Sequence, residues 1–142
     1  LAREPGSVNG NLYLSELYRR AGRLEESINL LEKASTLSGG NPVLQSNLAW
    51  ILATNPDDTI RDGKRAVELA TNAVNATGGQ RPEALDVLAA AFAEAGEVEK
   101  ALEAHALAAQ QAKTINPDLL EAWSHRATLF PEGKPIRMPR DR

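Results

Sequence analysis

Apolar residues recur along this chain at helical spacing, in runs separated by clusters of glycine, proline and asparagine. Leu14, Leu17, Tyr18 and Ala21 fall at i, i+3, i+4 and i+7, one face of a helix that begins near Asn9 to Asn11 and ends at Gly22. A second helix resumes at Leu24, with Ile28, Leu31 and Ala34 inward and Glu25, Glu26, Glu32 and Lys33 outward, and stops at Ser38-Gly39-Gly40-Asn41-Pro42. The third starts with Pro42 in its first turn and buries Leu44, Leu48, Ile51 and Leu52 before Asn55-Pro56 ends it near Thr54. Asp57 or Asp58 suits a short turn, and Asp62 suits the N-cap of a fourth helix whose stripe is Ala66, Val67, Ala70, Ala73 and Val74. After Thr77-Gly78-Gly79, a fifth helix behind Arg81-Pro82 carries Leu85, Leu88, Ala89 and Phe92 up to Gly96. A sixth runs from about Val98 to Lys113 with Ala101, Leu102, His105 and Ala108 or Ala109 inward. A seventh follows Asn116-Pro117-Asp118, with Leu119 or Leu120, Trp123, Ala127 and Phe130 inward and Glu121, His125 and Arg126 outward. The prolines at 131, 135 and 139 keep the remainder from being helical and leave an extended tail.

The helices fall into pairs, and the pairs align. Leu14-Ser15, Tyr18, Gly22, Ser27 and Ala34 keep the same spacing as Leu88-Ala89, Phe92, Gly96, Ala101 and Ala108; Leu48-Ala49, Leu52, Ala66 and Ala73 match once a longer joint is allowed. A small residue recurs where the two helices of a pair must touch. Units that cannot bury an apolar face alone bury it by stacking on the next.

These three phased copies resemble the tetratricopeptide repeat family over roughly residues 8 to 115, and the central copy, with its Leu-Ala-Trp, Asn-Pro-Asp-Asp and Arg-Asp-Gly order, resembles a bacterial variant. The family's aromatic near the start of each unit is missing, and Gly39, Gly78 and Lys113 stand where a closing proline is common. The resemblance implies an all-α, right-handed α-solenoid of three antiparallel helix pairs plus a capping helix. Its expected segments are an entry at 1–8, pairs at about 9–40, 42–78 and 82–115, the cap at 116–130 and an extended basic tail at 131–142. It also implies a concave groove lined by the first helix of each unit. Such repeats often close a longer chain, sometimes one with a membrane-linked or glycosyltransferase-like front part.

Composition narrows the chemistry. Apolar residues make up 42% and charged residues 25%, ordinary values for a folded soluble domain, and the net charge of −3 supplies no broad basic face for nucleic acid. With no cysteine, thiolate metal sites, disulfides and cysteine nucleophiles are out of reach. No apolar run approaches the roughly 18 residues that a membrane-spanning helix needs. The first residues lack the apolar core of a signal peptide, and the chain opens without Met, which points to a piece of a longer protein.

No catalytic constellation emerges. His105 and His125 lie on different helices with no carboxylates spaced to join them as metal ligands. Asp58, Asp62 and Gly63 have calcium-loop offsets, but Ile60 occupies a ligand position and no Glu follows at the bidentate place, so helix capping explains them better. The Gly-Gly pairs end helices and lack the Lys-Ser or Lys-Thr of a phosphate loop, and no serine sits in a nucleophile elbow.

The expectation is therefore a non-catalytic scaffold, without cofactor or metal, that binds a protein or peptide through Leu12, Glu16, Arg19, Asn47, Trp50, Glu83, Asp86 and Ala90. Trp50 would anchor it, unless it packs between the third and fifth helices instead. In chaperone-binding members of the family, basic and asparagine side chains clamp a terminal carboxylate; the matching residues here are Leu12, Glu16, Asn47, Glu83 and Val87, of which only Asn47 fits. The alternative expectation is homo-oligomerisation, or docking of another segment of the same protein into the groove. Lys134, Arg137, Arg140 and Arg142 give the tail a positive charge that suits an acidic groove.

Overall fold

Helix ends follow the breakers closely. The computed structural model describes residues 8–124 and 126–137, the side chains of residues 127 and 128 excepted. The entry segment up to Ser7, the outward His125, the inward Ala127 and the tail from Met138 lie outside the described residues. The elements are α1 (Val8–Arg20), α2 (Leu24–Leu37), α3 (Pro42–Thr54), α4 (Gly63–Ala76), α5 (Pro82–Glu94), α6 (Val98–Ile115), α7 (Asp118–Trp123), α8 (Arg126–Leu129) and a 3-10 turn over Phe130–Glu132. Among the described residues the fold is all-α, with no strand.

Four of these helices end the same way. The amide of Arg23 donates to the Tyr18 carbonyl at 2.8 Å, and Gly40 to Ser35, Gly79 to Val74 and Glu97 to Phe92 each at 2.9 Å. This six-to-one bond closes the last turn only if the residue just past the helix takes a left-handed backbone, which Gly96 does at φ 82°. Helix α3 ends differently. The Thr54 hydroxyl donates to the Trp50 carbonyl at 2.6 Å, and the Asn55 side chain accepts the Asp57 amide at 2.9 Å. The joint then closes on itself, because the Asp62 amide reaches back to the Leu52 carbonyl at 2.8 Å while its carboxylate caps α4 at the Arg65 amide, 3.0 Å away.

The helices pack in hairpins, α1 on α2, α3 on α4 and α5 on α6, with α5 also seated on both α3 and α4. The small-residue columns are buried where expected: Ala49, Ala66, Ala89 and Ala101 have no solvent exposure, and in the first pair the Ser15 and Ser27 hydroxyls meet at 3.0 Å. Alanine at these contacts lets helix backbones approach closely. At Gly63 the approach is closer still, since a Cβ there would lie 2.9 Å from the Ala95 nitrogen. Leu48, Leu52, Leu69, Ala90, Phe130 and Ile136 belong to the main core cluster, and Leu85, Ala108, Ala112 and Trp123 form a second under α7.

Two expectations need correction. The stripe Leu14, Leu17 and Ala21 does not face the core: Leu14 is 39% and Leu17 44% exposed, and α1 buries Gly10, Asn11 and Ser15 instead. Among the described residues α1 packs mainly on α2. The seventh helix is also not continuous. At Ser124 the amide and the hydroxyl both bond to the Glu121 carbonyl, at 3.2 and 2.9 Å, a local alternative to helix propagation. Arg126, expected outward, turns in: it follows Trp123 by three residues, on the same helical face, and pairs with Asp86.

Candidate functional site

Periodicity along α3 and α5 builds a trough between them. Val43, Asn47 and Trp50 stand at i, i+4 and i+7 on α3, and Glu83, Asp86 and Val87 at i, i+3 and i+4 on α5. Two adjoining hollows of about 360 and 380 Å³ share Ser46, Asn47, Glu83 and Val87 as lining. The first is closed by Pro42, Thr77, Arg81 and Ala84, and the second by Ile51, Leu119, Trp123 and Arg126. Together they have the size and the mix of apolar wall and sparse polar groups found in small binding sites.

At the base of the second hollow the side chains interlock. The Arg126 guanidinium donates through Nη1 to Asp86 Oδ2 and lies over the Trp50 ring, 4.7 Å from its centre. Trp50 is half-buried, with its other contacts in the main core cluster, so it serves wall and core at once. Asp86 Oδ1 is buried and makes no hydrogen bond among the described residues. Burial pushes the Asp86 carboxyl above its usual range, against the pull of Arg126. His105 stands behind, edge-on to Phe130 at 5.3 Å between ring centres; burial lowers its imidazole, opposed by the Asp86 charge.

Of the expected groove residues, the fold brings together Asn47, Trp50, Glu83 and Asp86, with Asn47 and Glu83 exposed on the rim. Ala90 does not line the trough. It is fully buried, in the core cluster that also takes in Phe130 and Ile136. Leu12, Glu16 and Arg19 line neither hollow. Glu16 instead accepts from Arg19 Nη2 at 2.7 Å and from Arg20 Nε at 2.9 Å, which lowers its carboxyl to about 2.

The sequence reading missed the wall supplied by Leu119, Trp123 and Arg126. Trp123 carried a signal, as a large aromatic beyond the sixth helix, but the hollow that this wall closes is otherwise lined by α3 and α5, far earlier in the chain. Among the described residues no group of histidine, aspartate and glutamate side chains is placed to hold a metal ion, and no helix is long and apolar enough to cross a membrane. Comparison with protein-family models, curated proteins and solved structures found no match to this chain.

Proposed function

We propose that this chain is a non-catalytic binding module of tetratricopeptide type, its three hairpins stacked as successive turns of a right-handed α-solenoid, and that the trough between α3 and α5 holds an extended peptide. The observation that carries the reading is the Trp50 ring, half-buried under Arg126 at the base of the trough, with Asn47 and Glu83 on the rim above it. A half-buried aromatic next to a guanidinium offers a rigid apolar contact with little side-chain entropy to lose, the usual anchor of a protein interface. Asn47 can donate to and accept from a peptide backbone. The aligned small-residue columns, buried in all three pairs, support the repeat.

A peptide array probed with wild-type chain and with Trp50→Ala tests this. Loss of most spots in the variant is the expected result, and identical signals from both would sink the groove. A second reading, self-association, draws on α1, where Tyr13, Leu14 and Leu17 are 57%, 39% and 44% exposed. An apolar surface of that kind suits another helix pair or a second copy.

A further inference from the structure

The stretch after α7 returns to the face of α5 that repeat spacing assigns to a groove. Asp86, Ala90 and Glu94 stand at i, i+4 and i+8, one stripe about 12 Å long. At one end Arg126 is paired with Asp86; at the other, Arg137 Nη1 lies 2.7 Å from Glu94 Oε2. Between these pairs Ala90 is sealed from solvent in a cluster with Phe130 and Ile136. The stripe is acidic, small and acidic in order; the stretch that returns to it is basic at both ends and carries between them an aromatic and an aliphatic residue that share Ala90's core cluster.

We propose that this stripe of α5 is a recognition strip for segments of that pattern, that residues 126–137 occupy it in cis, and that a partner segment of the same chemistry takes the strip by displacing them. The proposal deepens the groove reading and rests on it. Two features make the resident segment displaceable. Its regular structure is one four-residue helix and one three-residue 3-10 turn, too short to persist without the surface beneath. Its outer anchor is also the weaker one: Arg137 is one-third exposed, so its pair with Glu94 competes with water, and that end opens first.

A third feature favours a competitor over the resident. Arg126 engages only Oδ2 of Asp86 and leaves the buried Oδ1 without a hydrogen bond among the described residues. A guanidinium presented in fork geometry would satisfy both oxygens, which is the stronger arrangement for an arginine–carboxylate pair. A partner segment with arginine at its leading position, an aromatic and an aliphatic residue behind it and a basic residue about eleven positions on fits the strip by the spacing of the resident itself.

The test is a labelled peptide of residues 126–137, titrated by fluorescence anisotropy into the full wild-type chain, Arg137→Ala and Arg126→Ala/Arg137→Ala. Both variants should bind the peptide more tightly than wild type, the double variant at least tenfold, and adding Glu94→Gln should remove most of the gain. Equal affinity in all three chains, or no binding to variants whose circular dichroism shows them folded, would overturn the proposal. Should the double variant unfold, Arg137→Ala decides alone, since its side chain sits at the exposed end. The two readings fail separately. Array binding that depends on Trp50, with no uptake of the resident peptide, keeps the groove and overturns the strip; uptake without any Trp50 dependence removes the groove.

Discussion

The first and third helix pairs are built on one spacing, yet their surroundings differ. In the third pair Ala89 and Ala101 are sealed, α7 seats Trp123 beside Leu85, Ala108 and Ala112, and Phe130 and Ile136 close the inner side. In the first pair the contact is a hydroxyl pair, Ser15 with Ser27, and Leu14 and Leu17 are open to solvent. The residues equivalent to Leu14 are Leu48, which is buried, and Leu88, which is partly so. Burial at this position is therefore set by the neighbour and not by the residue.

The largest effect expected from this contrast is at Phe130. Truncation to alanine at a fully buried aromatic should cost about 3–5 kcal/mol, measured by urea unfolding. A loss under about 1 kcal/mol would mean that the C-terminal stretch is not part of the core. A pH effect should follow from the same region. The imidazole of His105 is held below its ordinary 6.5 by burial, so the neutral form is favoured in the folded chain. A group with a depressed folded pKa contributes stability that is present above its unfolded value and lost as pH falls through the folded one. Melting temperature should thus drop between about pH 7.5 and about pH 5.5, the range around the free histidine value, and the drop should shrink in His105→Gln. Asp86, shifted upward, acts with the opposite sign at lower pH, favouring the folded chain while its carboxyl is protonated and losing that contribution as pH rises. A steeper slope in the histidine variant would contradict the assignment.

The smallest effect belongs to the first pair. Leu14→Ser/Leu17→Ser should change unfolding free energy by no more than about 0.5 kcal/mol per site, as surface substitutions do. Light scattering on the same variant sharpens the comparison. If α1 joins copies, wild type gains mass with concentration and the variant does not; if both stay at one mass, the exposed side of α1 is idle in the isolated chain.

Much of this was legible before the fold was known, and the rest failed for identifiable reasons. Helix ends were readable because glycine, proline and asparagine act locally, within the turn they terminate. The stripe of α1 was misassigned because periodicity identifies an apolar face without saying whether a neighbour covers it. Arg126 was placed outward although it stands three residues after the inward Trp123, on the same helical face, and its partner Asp86 lies 40 residues earlier. Ala90 was expected in the groove and is fully buried, in a core cluster with Phe130 and Ile136 some forty positions later, a distance over which spacing carries no information. Trp50, read as either groove or core, is divided between the two.

The close approach at Gly63 bears on how far these units are interchangeable. Aligned sequences invite the view that one hairpin could be exchanged for another. Yet the first residue of α4 lies against the Glu94-Ala95 backbone, too near to admit a side chain, and Arg61 beside it is bonded to Glu94 Oε1 at 3.0 Å and to the Asn55 carbonyl at 2.7 Å. The second and third hairpins are thus mated parts, with their closest fit at this joint. A transplanted unit would have to bring both halves of that joint, whereas the first hairpin meets the second through α2 on α3 and an exposed Arg65–Glu32 pair.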